Sequence, residues 1–150
     1  MGKLSAIIGK RVYCDANVFI YALEGYAAHA NLLKALLQAM DSRELIVVTS
    51  ELTVAEVLVK PLRDGDKTLE QKYRRFLTPS TALELWPLTR VILERAAEAR
   101  AVSKMKLPDA LHWTTALQAC CDSFLTNDNG FKAQVGLTTH LLSDLTRTLP

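Results

Sequence analysis

Four carboxylates in this chain stand where side-chain packing does not account for them. Asp15 ends the β-prone run Arg11-Val12-Tyr13-Cys14 and precedes an apolar segment. Glu56 lies inside Leu52-Thr53-Val54-Ala55-Glu56-Val57-Leu58-Val59. Asp109 follows Pro108 and opens Ala110-Leu111-His112-Trp113-Thr114-Thr115-Ala116-Leu117. Asp128 follows Ser123-Phe124-Leu125-Thr126 with only Asn127 between. Gathered in one crevice, four such groups would repel one another, and would either take up protons or be neutralised by a divalent cation. An oxygen-only donor set suits the hard ions Mg²⁺ and Mn²⁺, and no cluster of His or Cys argues for zinc.

Each acid also has an ordinary reading. Asp15 can cap the helix that follows it. Asp109 can complement the dipole of the helix it opens. Asp128-Asn129-Gly130 is a good turn by itself, and Glu56 can sit on the exposed face of an imperfectly amphipathic helix. Taken singly, these readings are at least as good as a functional one. The four together, all at positions that a sheet crevice would collect, favour a site.

The elements that must position them follow from periodicity. Residues 11–14 read as a first strand and 18–23 as a short helix with Asn17 as its N-cap. Leu32, Leu33, Leu36, Leu37 and Met40 keep helical spacing within 28–40. Residues 45–49 are apolar enough for a strand covered on both faces. Ser50 can cap a helix running up to Pro61, and a charged stretch over 61–80 reads as surface loop with a helix at 69–77. A third strand at 82–86 precedes a helix at 90–102, and Pro108 suits the first turn of a helix reaching Cys120. Strands at 123–126 and 137–142 flank a short helix at 131–135. Alternating strands and helices predict an α/β fold, three-layer α/β/α, with a mostly parallel central sheet of four to five strands. Asp15 and Asp128 then fall at the carboxyl ends of parallel strands, where open α/β sheets bind ligands.

Composition sets the bounds. The 150 residues are 49% hydrophobic, enough to fill a core, and fit a single domain over 1–150. A net charge of +2 is compatible with a nucleic-acid partner without demanding one. The three cysteines, Cys14, Cys120 and Cys121, have no metal-ligand spacing and read as reduced, small apolar groups. No signal peptide is apparent and no run approaches the roughly 18 apolar residues of a membrane span. The expectation is a soluble, cytoplasmic protein with no membrane partner.

At these motifs the sequence resembles the PIN-domain family, and most closely the VapC-type toxin ribonucleases of toxin–antitoxin pairs. The segment from Val12 through Asp15 and Asn17 to Leu23 is similar to the family's opening strand, acid and helix. Thr49-Ser50 followed by Glu56 matches the second motif, Pro108-Asp109 through Ala116 the third, and Thr126-Asn127-Asp128 with Phe131 the fourth. Residues 11–142 carry these motifs in the family's order. Two features depart from the toxin pattern, the longer lead-in before Arg11 and the Pro108 directly before the third acid.

The resemblance implies metal-dependent hydrolysis of RNA phosphodiester bonds with Mg²⁺ or Mn²⁺. Asp15 and Asp109 would be direct ligands, Asp128 a third, directly or through water. Glu56 would ligate a second ion or orient the attacking water. Asn17 and Thr126 would hydrogen-bond to the ligands. It also implies a small antitoxin protein as partner and a homodimer. A housekeeping RNA-processing nuclease and a non-catalytic RNA-binding scaffold are the alternatives. An aspartyl-phosphate hydrolase is set aside, because Asn17 occupies the place of its second Asp.

Other residues read as structural. Lys60, Arg63, Lys67, Lys72, Arg74 and Arg75 could hold phosphates, but interleaved Asp64, Asp66 and Glu70 suggest an ordinary charged surface. His112 is expected to pack within its helix, and Trp86 and Trp113 to lie in the core.

Overall fold

Alternation along the strands sorts the core into two halves. In β1 (Arg11–Cys14), Val12 and Cys14 point to one face of the sheet and Tyr13 to the other. β2 (Ile46–Ser50) sends Val47 and Val48 to opposite sides, and β4 (Ser123–Thr126) does the same with Phe124 and Leu125. With β3 (Leu83–Trp86) and β5 (Thr138–Leu141) they form a parallel sheet ordered β3-β2-β1-β4-β5. The three central strands are buried on both faces, as parallel strands under helices must be. The computed structural model describes residues 3–148.

One face is covered by α1 (Lys3–Ile8), α2 (Ala16–Glu24), α3 (Ala30–Asp41), α4 (Glu51–Asp64), α5 (Lys67–Phe76) and α8 (Leu142–Thr148). The other is covered by α6 (Arg90–Val102) and α7 (Leu107–Gln118). The three-layer α/β/α expectation holds, and the sheet is fully parallel among the described residues. Among those residues, no helix is long and apolar enough to cross a membrane.

Several local expectations are corrected. The residue at the N-cap of α2 is Asp15, not Asn17, which is exposed in the first turn. α4 does not stop at Pro61 but runs on to Asp64 and the left-handed Gly65. Proline costs a helix one hydrogen bond, and here the ring is buried, so packing offsets the loss. α1 and α8 were not anticipated; each is short and gains its stability by burying Leu4 and Ile8, or Leu142 and Leu145. The short helix expected over 131–135 is a 3₁₀ segment, Asn129–Ala133. Trp113 is buried as expected, whereas Trp86, on edge strand β3, is only half-buried.

Candidate active site

In the strand order the chain's progression reverses between β1 and β4, and such a switch point opens a crevice beyond the carboxyl ends of the strands. Asp15 leaves the end of β1 into this crevice and Asp128 follows the end of β4. α4 starts directly from the carboxyl end of β2, and α7 ends beside Ala119, whose carbonyl accepts from Arg11 at the start of β1, so α7 begins at the same carboxyl edge. Ser50 caps α4 by accepting the Leu52 N–H at 3.0 Å. The buried Thr49 hydroxyl donates to the Cys14 carbonyl at 2.8 Å and pairs with Thr53 at 2.7 Å. That seam fastens the start of α4 to the strand that delivers Asp15.

Asp15 holds the N-cap position of α2, yet its side chain makes no capping hydrogen bond. Its Oδ2 accepts from the Thr126 hydroxyl at 2.5 Å. Its Oδ1 is buried with no hydrogen-bond partner. The residue is 5% exposed, and burial pushes its pKa up to about 6, against the Thr126 bond and the nearby His112; the Glu56 charge adds to the rise. A buried, half-satisfied carboxylate is costly; no full capping bond closes on it, and the Val18 N–H in the first turn of α2 only eases its charge.

Thr126 performs a second task by accepting the Asp128 backbone N–H at 3.1 Å. One hydroxyl therefore ties Asp15 to the loop that carries Asp128. Asp128 itself is exposed and accepts the Gly130 N–H at 2.8 Å, so its ordinary role as a turn former is also real. Asp109 lies in the first turn of α7, half-buried. Desolvation raises its pKa, and the charges of Asp128 and Glu56 raise it further, against His112 and Lys106. Asp109 and Asp128 line one cleft of about 420 Å³ with Lys104, Met105, Lys106, Gly130, Phe131 and Gln134.

Glu56 is held by a residue assigned above to packing. His112 is 3% exposed; its Nε2 lies 2.6 Å from Glu56 Oε1 and its Nδ1 2.6 Å from the Tyr13 hydroxyl. Position 112 lies one turn beyond Asp109, on the same side of α7. That spacing was the only sequence signal for it, and nothing in the sequence pairs it with Tyr13.

Of the four acids, Asp109 and Asp128 share the cleft; Asp15 and Glu56 do not line it and are linked to it through charge, Asp15 feeling Glu56, and Asp109 feeling both Glu56 and Asp128. Among the described residues, no three His, Cys, Asp or Glu side chains close into a tight cation cage. The charged stretch, which the structure folds into the end of α4 and into α5 and not a loop, is an ordinary surface. Lys60 pairs with Glu24, Lys67 and Arg74 with Glu70, Arg63 with Asp64, and Lys72 donates to the Leu23 carbonyl.

Comparison with known proteins agrees with the fold. The PIN domain family model matches residues 12–136. The chain therefore belongs to the PIN-domain family. A toxin–antitoxin complex from Klebsiella pneumoniae contains a chain 24% identical, with 85% of this chain and 96% of that one covered at a TM-score of 0.63. VapBC2 from Rickettsia felis, bound to a DNA fragment from their promoter, aligns at 17% identity over 87% of this chain and 98% of that one, with a TM-score of 0.69. FitAcB from Neisseria gonorrhoeae aligns at 17% identity over 85% and 95%, with a TM-score of 0.63. At such identities the likeness is one of fold. No curated protein matches the chain.

Proposed function

We propose that this protein is a metal-dependent endoribonuclease and the toxin of a toxin–antitoxin pair. The observation that carries the reading is Asp15, a buried carboxylate with one oxygen unpartnered and its pKa raised to about 6. Such a group is unfavourable in the protein alone and becomes favourable beside a cation. The oxygen-only acids around it fit Mg²⁺ or Mn²⁺, with Asp15, Asp109 and Asp128 as the holding residues and Glu56 beside them. When bound, such an ion polarises a phosphodiester and lowers the pKa of water to near neutral.

The chain's own residues do the rest. Thr126 keeps Asp15 Oδ2 engaged, so the carboxylate presents Oδ1. Glu56, bonded by His112, would ligate a second ion or orient the attacking water. Lys104 and Lys106, exposed beside Asp109 and Asp128, supply positive charge for the phosphates flanking the cleaved bond. Asn17, two residues after Asp15 and exposed in the first turn of α2, would hydrogen-bond to the ligands or the bound phosphate.

An antitoxin that inserts a guanidinium among these acids would neutralise them as a cation does and block the site. The toxin–antitoxin complexes among the structural neighbours support such a partner. Exposed Val59 and Leu62 on α4 support the homodimer, formed through helices near the middle of the chain.

The test incubates purified protein with total cellular RNA in Mg²⁺ and in Mn²⁺. Cleavage should stop in EDTA and return with either ion. Undiminished cleavage in excess chelator would refute the metal mechanism. Expression of the wild-type chain alone should arrest growth, and Asp109→Asn should not; equal tolerance removes the toxin reading and leaves the nuclease.

A further inference from the structure

Glu56 is a long, flexible acid whose side chain is 34% exposed, on a helix whose neighbouring Ala55 and Val59 face solvent. Left to itself it would sample many rotamers, and ordering it costs side-chain entropy. The structure spends two buried polar side chains from two other elements on this one residue. Tyr13 of β1, with no exposed surface, meets His112 Nδ1 at 2.6 Å, and His112 Nε2 meets Glu56 Oε1 at 2.6 Å.

The donor inventory gives the line a direction. A carboxylate accepts only, so Nε2 carries the hydrogen toward Glu56 whether the ring is neutral or charged. In the neutral ring Nδ1 is an acceptor, and the Tyr13 hydroxyl is its donor. Tyr13 cannot swing away. Its ring stacks on Phe124 at 5.0 Å between centroids, and its backbone is in the centre of the sheet. A histidine that merely needed satisfaction in the core would not have to spend its second nitrogen on a half-exposed acid of another helix.

We infer that His112 is a positioning residue for Glu56, rooted on the Tyr13 hydroxyl, and that it fixes where the fourth carboxylate meets the bound cation and its water. The inference rests on the metal-site reading above. α7 then serves the site twice, through Asp109 directly and through His112 by way of Glu56. Engaging Oε1 still leaves the carboxylate further lone pairs for the site, since it offers about four acceptor positions.

The experiment titrates Mn²⁺ alone into the purified full chain by calorimetry, with melting in EDTA as the fold control. His112→Gln retains an N–H near the place of Nε2, whereas His112→Asn carries its amide only as far as Nδ1. Removing such an orienting partner weakens metal affinity by roughly 10- to 100-fold. His112→Asn should show that loss and His112→Gln should recover most of it. In a Glu56→Ala background, His112→Asn should add nothing further, because its effect passes through Glu56.

A purely structural histidine would give equal losses for Gln and Asn, or losses that add to that of Glu56→Ala. Either result overturns the inference and leaves the metal reading standing. A wild-type chain whose Mn²⁺ binding is absent, or is indifferent to Asp15→Asn, overturns the metal reading and the inference with it.

Discussion

Acids at two places in this protein live under opposite rules. Glu84 on β3 accepts from the two terminal guanidinium nitrogens of Arg11, Nη1 and Nη2, at 2.7 and 3.0 Å, and that pairing holds its pKa below the usual range. Glu24 at the end of α2 is bonded by Lys60 at 2.6 Å and by the Tyr73 hydroxyl at 2.5 Å. Its pKa is lowered too, although burial works against it. Asp15, at the carboxyl end of β1, has no ion pair of this kind, and its pKa moves the other way. The same residue chemistry is satisfied where it joins elements and left unsatisfied where the sheet opens. On the metal-site reading proposed above, the position of Asp15, buried with one oxygen unpartnered, is the one kept for a cation.

The comparison breaks first on activity. Asp15→Asn should lower Mg²⁺-dependent RNA cleavage by at least about 100-fold, since it removes a charge from the cation site. Glu84→Gln should leave the rate within about twofold. Equal losses in a gel-based cleavage assay would erase the distinction between the two regions.

Stability should respond in the reverse sense. The folded pKa of Asp15, about 6, lies above its ordinary 3.8, so the folded chain binds this proton more tightly. Its contribution is full below pH 3.8 and is lost as pH rises through about 6, with a cost of roughly 3 kcal/mol at neutral pH. Metal-free Asp15→Asn should therefore melt higher than wild type at pH 7, with the gap closing toward pH 4. Added Mn²⁺ should raise the wild-type midpoint and not that of the variant. Glu24 and Glu84 carry the ordinary slope, lending stability above pH 4.5 that is lost on acidification.

Smaller effects sharpen the picture. Thr126→Val removes the bond to Asp15 Oδ2 and the acceptor for the Asp128 N–H, and should destabilise by about 1–3 kcal/mol in denaturant unfolding. Cleavage should fall along with it. Tyr13→Phe should destabilise within the same range while weakening Mn²⁺ binding less than His112→Asn does, because the Nε2–Glu56 bond survives. Glu84→Gln should cost at most about 1 kcal/mol, since both partners of that pair are partly in water. A larger loss would mean that the Arg11 bridge also braces the sheet.

Much of the molecule was legible without its structure, and the reason is locality. Strands 11–14 and 123–126 and the helix over 90–102 show in hydrophobic period alone. Their order led to a parallel sheet, and a parallel sheet has its crevice at the strand ends where Asp15 and Asp128 stand. The errors have a common cause. α1 and α8 exist because they cover core, and α4 passes through Pro61 because the ring is packed. Neither fact is written in a ten-residue window.

By itself, then, the sequence determined which acids end strands or open helices, because caps, turns and strand ends are local chemistry. Only the tertiary structure decided that Glu56 is held by His112 and His112 by Tyr13, across 56 and 99 positions of chain. It also decided that one oxygen of Asp15 is buried without a partner. Burial and hydrogen-bond satisfaction are properties of the packed interior, and they arise only when distant segments exclude water together.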